Sequence, residues 1–154
     1  MTTFVDLAVR ARALSADGDV AAALRLLEDD RPLYPRQAGQ IYLMEAELMA
    51  RRGDGPAALA PLERALADGC RYKKEWLLSN KALAPLAELP AMRSLIERAQ
   101  RAYDDAAASA KPHLMFAMPD TLPDAFGFPL LMVLHGNNSN AKRTAERWSA
   151  MADP

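Results

Sequence analysis

The strongest constraint on the fold of this chain is an internal repeat. The segment ADGDVAAALRLLE, residues 16–28, aligns with RRGDGPAALAPLE, residues 51–63. Glycine, aspartate, alanine and leucine recur at matched positions, and the offset from Gly18 to Gly53 is 35 residues. A period of this length is typical of architectures in which one small supersecondary unit stacks on the next. The sequence therefore predicts repeated units.

Helical periodicity precedes the glycine in each copy of the repeat. Apolar or small residues recur there at i, i+4 and i+7, which indicates the buried face of a helix. The matched positions are Leu7, Ala11 and Leu14 in the first copy and Tyr42, Ala46 and Met49 in the second. We expect the small Ala11 and Ala46 to let paired helices approach closely. We expect Leu27 and Leu62 to fill the gaps between neighbouring pairs.

Two helices joined by a glycine-bearing turn within about 35 residues resemble the tetratricopeptide repeat. Pro35 follows the first unit where that motif usually has a proline. The resemblance implies a mainly α domain of helix-turn-helix repeats, with units at about 1–35 and 36–70. Such stacks present a concave face that holds a peptide or a partner protein.

The third unit, residues 71–105, departs from the pattern and is predicted to cap the stack. Proline is tolerated in the first turn of a helix, so Pro85 predicts the start of a short helix and Pro90 the start of a longer one. Pro61 conflicts with the pattern because it lies inside the apparent second helix of its unit. A proline there costs about 3 kcal/mol unless the helix kinks.

Composition changes after the repeats. We predict a helical repeat domain over 1–105 and a linker over 106–112, since AAASAKP has few large apolar residues and ends in proline. Residues 113–118 predict a strand. Residues 129–153 predict a strand, a loop and a helix in that order, because the apolar run LLMVL is followed by His-Gly, by turn-forming residues and then by helical periodicity.

The sequence PLLMVLHGNNSNA, followed by Trp148, resembles the α/β-hydrolases. The closest likeness is to the esterase branch, with its carboxylesterases and dienelactone hydrolases. In that family an apolar strand runs into a His-Gly loop whose backbone N–H forms half of the oxyanion hole. The resemblance implies that His135, Gly136 and Asn137 form this oxyanion loop. It also implies that 113–154 is an incomplete α/β-hydrolase segment, a strand-loop-helix fragment of the sheet.

The catalytic residues of that family are missing from this chain. The nucleophile lies in a G-x-S-x-G turn, and the acid and the histidine follow it. None of the seven glycines has a serine two positions on, and no histidine follows His135. An oxyanion donor has no role without a nucleophile and a base. We therefore assign no catalytic residue, and we expect no activity from this chain alone.

Composition excludes several other classes of function. A formal net charge of −1 gives no electrostatic footprint for nucleic acid. Cys70 is the single cysteine, so no internal disulfide is expected. His113 has no cysteine or carboxylate cluster at metal-ligand spacing, and no metal or other cofactor is expected. No leader segment or membrane span is evident, which favours a cytoplasmic protein.

Two classes of function remain open. The chain is either the N-terminal portion of a serine-hydrolase-type esterase with a repeat domain in front, or a non-catalytic helical-repeat module that binds a peptide or a partner protein. The two are compatible with each other. A lone pair of strands is marginal, so we also expect 113–154 either to be poorly ordered in the monomer or to be completed by another copy of the chain or by the rest of an enzyme.

Overall fold

The computed structural model describes residues 3–110, in which short turns join six α-helices. Their bounds are α1 Phe4–Ala16, α2 Val20–Asp30, α3 Ala38–Arg51, α4 Gly55–Ala67, α5 Lys74–Leu78 and α6 Pro90–Ser109. Three short 3₁₀ turns, Arg31–Leu33, Pro35–Gln37 and Ala84–Leu86, lie between them. No strand occurs among these residues. The prediction of a mainly α domain is confirmed for this part of the chain.

The first helical hairpin is α1 and α2, and polar side chains fix its ends. Thr3 and Asp6 form a reciprocal cap at the start of α1: the Thr3 N–H donates to the Asp6 carboxylate at 2.8 Å, and the Asp6 N–H donates to Thr3 Oγ1 at 3.2 Å. Gly18 then turns the chain with φ of 88°. Asp19 begins α2 by accepting the Ala22 N–H at 2.9 Å.

The second hairpin, α3 and α4, repeats this turn 35 residues later. Gly53 has φ of 79°. The Asp54 carboxylate accepts the Ala57 N–H at 3.2 Å. The Asp54 N–H donates to the carbonyl of Met49 at 3.2 Å, and the corresponding bond of the first hairpin measures 2.9 Å. The recurrence found in the sequence is thus a recurrence of one turn geometry.

We expect Gly53→Ala to lower the free energy of unfolding by about 1 kcal/mol, because a side chain disfavours a positive φ. A Cβ added at this position meets nothing within 4 Å, so the loss would be conformational and not steric. Gly53→Asn is the matched control, since asparagine tolerates this backbone region better. Urea denaturation of the three proteins measures the difference. An equal loss for both variants would contradict this explanation.

Two apolar cores hold the helices together. The first lies between the first hairpin and α3, and its buried residues are Leu7, Ala11, Ala23, Leu27, Ile41 and Leu48. The second joins α3 and α4 to the third unit, with Leu62, Leu77, Leu95 and Ala99 among its buried residues. Ala11, Ala46, Leu27 and Leu62 are all buried, with exposed fractions of 1% or less. The predicted burial of these four side chains is confirmed.

The third unit begins its helices at the prolines. Pro85 occupies the first turn of the 3₁₀ segment Ala84–Leu86, and α6 begins at Pro90. Both positions are as predicted. Pro61 does lie inside α4, where its ring is fully buried. Burial of that ring offsets part of the cost of the missing N–H.

The predicted linker at 106–112 overlaps the end of α6, which continues to Ser109. Alanine is the best helix former, so Ala106, Ala107 and Ala108 extend the helix without packing against a core. The predicted strand at 113–118 and the strand-loop-helix at 129–153 lie outside the described residues. Among the residues described, no helix combines the length and the apolar character needed to cross a bilayer.

Candidate functional site

The site residues predicted from the hydrolase resemblance, His135, Gly136 and Asn137, lie outside residues 3–110, and so does His113. The described part contains two other features of interest. One is a buried charge with its partners, and the other is a surface that carries an exposed tryptophan. No motif in the sequence points to either of them.

Glu45 is the one charged residue that is buried among those described, with 2% of its surface exposed. It projects from α3 toward two arginines. Arg31 Nη1 lies 2.7 Å from Glu45 Oε1, and Arg64 Nη2 lies 3.5 Å from Glu45 Oε2. Arg31 comes from the turn after α2, whereas Arg64 comes from α4. One carboxylate therefore links the end of the first hairpin to both helices of the second.

Tyr42 lies one helical turn before Glu45 and completes this arrangement. The guanidinium carbon of Arg31 lies 4.4 Å from the centroid of the Tyr42 ring, and that of Arg64 lies 5.9 Å from it. The Tyr42 hydroxyl donates to the carboxylate of Asp68. Arg31, Tyr42, Glu45 and Arg64 are called the Glu45 cluster below.

Burial dominates the electrostatics of the Glu45 cluster. Desolvation raises the pKa of Glu45 above its ordinary value of 4.5, although Arg31 and Arg64 act in the opposite direction. Desolvation, aided by the hydrogen bond to Asp68, also raises the pKa of Tyr42. The two arginines therefore offset only part of the cost of burying the carboxylate.

Cys70 and Tyr72 lie at the edge of the second core, beside Gly39. The Tyr72 hydroxyl donates to the Gly39 carbonyl at 2.7 Å. Burial raises the pKa of the Cys70 thiol and that of the Tyr72 hydroxyl. A thiol with a raised pKa is a poor nucleophile at neutral pH. These groups are therefore suited to packing and not to covalent catalysis.

The Glu45 cluster likewise holds no nucleophile paired with a base. Within residues 3–110 no three His, Cys, Asp or Glu side chains are grouped as metal ligands. The ion pairs of the cluster connect the two hairpins. The repeat could not reveal the cluster, because Arg10 occupies the position in α1 that corresponds to Glu45, 35 residues earlier.

We expect the stability of the wild-type protein relative to Glu45→Gln to rise as the pH falls from 7 toward 4. Because the folded-state pKa of Glu45 is raised, the folded state binds a proton before the unfolded state does. This contribution is fully present below the ordinary pKa and is lost as the pH rises through the folded-state pKa. Urea denaturation of both proteins at several pH values measures it. A difference that is constant or falls on acidification would contradict the assignment.

The second feature is the surface around Trp76, which is 42% exposed on the short helix α5. Hydrogen bonds to two other helices hold α5 and the residues that follow it in place. The Lys74 N–H donates to Gln100 Oε1 of α6 at 2.8 Å, and Asn80 Nδ2 donates to Glu47 Oε1 of α3 at 2.7 Å. Trp76 is therefore presented on a supported segment next to α3.

No protein-family model matches this chain, and no curated protein and no solved structure matches it either.

Proposed function

We propose that the helices of residues 3–110 form a non-catalytic, tetratricopeptide-like module that binds a peptide segment of a partner protein. The observation that carries the proposal is the exposed Trp76, supported between α3 and α6. Tryptophan is among the residues that contribute most to protein–protein binding when the partner buries them. The 35-residue recurrence of the hairpin turn supports the repeat character of the module.

The peptide would lie along the first helices of the units. Trp76 lies on α5, and Asn80, two residues after the end of that helix at Leu78, is bonded to Glu47 of α3. The position that precedes Glu47 by one turn of α3 is Leu43, which is partly buried. We take Leu43, Glu47, Trp76 and Asn80 as the surface that binds the peptide. It offers apolar area, and the Glu47 carboxylate and the Asn80 amide, which bond each other, retain hydrogen-bonding capacity for a peptide backbone. It suits an extended segment with one aromatic or aliphatic anchor.

The test uses the full chain with Trp148→Phe, so that Trp76 is the sole indole. Peptides would be selected against this protein from a random library, and binding would be followed by Trp76 emission. We expect selected peptides to share a large apolar residue and to shift the emission on binding. Trp76→Ala, followed by calorimetry, should weaken binding about tenfold or more.

Leu33→Ala is the matched control, because Leu33 is 70% exposed but lies outside this surface. It should leave the affinity within about twofold, as expected for a residue without contact to the ligand. The proposal fails if the library yields no peptide above background. It also fails if the selected peptides bind equally well to Trp76→Ala.

A second candidate function concerns the segment at 113–154. The sequence PLLMVLHGNNSNA with Trp148 favours the start of an α/β-hydrolase of the esterase type, with His135, Gly136 and Asn137 as its oxyanion loop. On this proposal the module is the N-terminal portion of a cytoplasmic enzyme that hydrolyses carboxylic esters. The rest of the enzyme, or another copy of the chain, would complete the sheet.

We expect the 154-residue chain alone not to hydrolyse p-nitrophenyl acyl esters, because a donor for the oxyanion is not enough without a nucleophile. The measurement is turnover together with labelling by a fluorophosphonate. A labelled serine with matching turnover would contradict the expectation. The esterase proposal itself is tested by sequencing the gene beyond the codon for Pro154, where a G-x-S-x-G motif followed by an acid and a histidine would support it.

A further inference from the structure

The two hairpins meet at α3, but each has its own core, and the two cores differ in size. Among residues 3–110, the first core contains six buried residues and the second contains fourteen. Four of the six come from the first hairpin and two from α3: Leu7, Ala11, Ala23, Leu27, Ile41 and Leu48. The first hairpin adds no buried or partly buried residue to the second core. The second core would therefore stay intact if the first hairpin separated from α3.

The ion pairs between the first hairpin and the second end at the Glu45 cluster. Within residues 3–110, those that join residues 4–33 to α3 and α4 are Arg31–Glu45 at 2.7 Å and Glu28–Arg64 at 3.8 Å. The guanidinium of Arg31 also covers the ring of Tyr42. Separation of the first hairpin from α3 would break both ion pairs, and it would expose the Glu45 carboxylate to water.

The charges that face Glu45 come from three elements. Arg31, from the turn after α2, and Arg64, from α4, both favour the ionised carboxylate, whereas Glu28 of α2 opposes it. Arg64 is 46% exposed and is shared between Glu28 and Glu45. Arg31 is therefore the one close cation that is committed to Glu45. The remaining titratable groups near this site are Tyr42 and Tyr72, whose pKa values are raised, and Asp68, which accepts the Tyr42 hydroxyl.

We propose that Glu45 forms a proton-sensitive switch: the first hairpin opens away from α3 as one unit, and protonation of the Glu45 carboxyl favours the closed arrangement. In the closed state the carboxylate is 2% exposed and has one close cation. In the open state water solvates it. The negative charge therefore costs more in the closed state than in the open one, and a proton on Glu45 removes that cost.

The closed state should lose stability as the pH rises. Desolvation raises the pKa of Glu45 in the closed state above its ordinary value of 4.5, so the closed state binds a proton before the open state does. The resulting stabilisation is fully present below the ordinary pKa and is lost as the pH rises through the closed-state pKa. Opening would uncover Ile41 and Leu48, so the proton would control access to an apolar side of α3.

Hydrogen exchange of the full chain, followed by NMR for single amides, tests the opening. Supersecondary units often open separately in native proteins. We expect the amides of Ala11 and Leu27 to share one opening constant, the ratio of open to closed molecules, that is at least about tenfold larger than that of Leu62 and Leu95. It should also rise less steeply with urea, because less surface is exposed. One common constant and one common urea slope for all four amides would overturn the proposal.

The role of Glu45 is tested by its pH dependence, after correction for intrinsic exchange. Between pH 4 and pH 7, the ratio of the first-hairpin opening constant in wild type to that in Glu45→Gln should rise by more than about twofold. The other carboxylates are common to both proteins and cancel. Glu63→Gln is the matched control, because Glu63 of α4 pairs with Arg98 of α6 and has no contact with the first hairpin. Its ratio to wild type should stay constant. A wild-type to Glu45→Gln ratio that is constant or falls with rising pH overturns the proposal.

Arg31→Met provides a second test that keeps the Glu45 carboxyl. It should raise the opening constant of the first hairpin about tenfold or more at pH 7, because the buried carboxylate loses its close cation. The increase should be smaller at pH 4, where the carboxyl binds a proton. Circular dichroism checks that each variant keeps its helix content. An equal increase at both pH values would mean that Arg31 holds the hairpin without the charge of Glu45, and would overturn the proposal.

Discussion

Leu62→Ala is expected to lower the free energy of unfolding by about 2–5 kcal/mol, the range for removing a fully buried leucine side chain. Leu62 has no exposed surface and lies in the core that joins α4 to the third unit. Ala58 and Ala65 of the same helix are buried too, with no exposed surface. Small neighbours cannot extend to fill the space left behind, so the cavity should persist and the loss should lie in the upper half of the range.

The matched control for this change is Leu33→Ala, which removes the same atoms from a side chain that is 70% exposed. Exposed substitutions of this kind change stability by about 0.5 kcal/mol or less. Urea denaturation of wild type and both variants, analysed with a common slope, gives the comparison. If the two variants lose equal stability, Leu62 does not fill the gap between the helices as the structure indicates.

The hairpin turns could be predicted from the sequence because each is encoded locally. Glycine supplies the positive φ, and the aspartate that follows it caps the next helix, so a few consecutive residues contain all the information. The burial of Ala46 and Leu62 could be predicted for a related reason. Because the sequence recurs after 35 residues, each helix can be aligned with its counterpart in the other copy. Positions that are apolar or small in both copies then mark the buried face.

The Glu45 cluster could not be predicted in this way. Its partners lie 14 and 19 residues from Glu45 in the chain. The three side chains come together only once the two hairpins have packed. No short sequence motif spans separations of 14 and 19 residues. The recurrence itself is broken here, because an exposed arginine stands at the matching position of α1. A glutamate flanked by apolar positions on a buried helical stripe was the one available signal, since a buried charge requires partners.

The short helix α5 illustrates a second limit. Its five residues begin without a side-chain cap, and an isolated helix of this length is not stable. Its placement depends on Gln100 of α6, which bonds its first residue, and on Glu47 of α3, which bonds Asn80 just after its end. Sequence patterns therefore indicated a degenerate third unit, but they could not show that Trp76 would stay partly exposed.

The prediction of an oxyanion loop at His135, Gly136 and Asn137 uses a few consecutive residues, as the prediction of the hairpin turns does. The local pattern predicts a strand, a glycine and a helix. Its function depends on a nucleophile and a base that are distant in sequence in every such enzyme. Such a loop can therefore be proposed from a few residues, whereas its activity cannot.

The second large effect is expected at Arg31. Arg31→Met keeps most of the side-chain volume but removes the guanidinium, which leaves the Glu45 carboxylate buried with Arg64 alone. Removing one partner of a buried ion pair costs about 3–5 kcal/mol. Arg64 lies at 3.5 Å and is 46% exposed, so it can take over part of the compensation. We therefore expect a loss of about 2–3 kcal/mol at pH 7, against about 0.5 kcal/mol or less for the exposed Arg25→Met.

The loss at Arg31 should shrink as the pH falls. Without Arg31, one of the two cations that hold down the pKa of Glu45 is gone, so that pKa should rise further above 4.5. The folded variant then takes up a proton at a higher pH than the folded wild type does. The neutral carboxyl needs no cation. The stability loss caused by Arg31→Met is therefore largest at high pH, and it decreases as the pH falls through the raised pKa of Glu45.

A double-mutant cycle with Glu45→Gln separates the ion pair from the other contacts of Arg31. If the loss comes from the unpaired carboxylate, Arg31→Met should cost much less in the Glu45→Gln background than in wild type. What remains in that background includes the contact between the guanidinium and the Tyr42 ring. Such a contact is worth about 0.5–1 kcal/mol at exposed sites and about 2 kcal/mol where the pair is desolvated, as it largely is here. Equal losses in both backgrounds would mean that Arg31 acts through the tyrosine, and that the buried carboxylate is held by Arg64 alone.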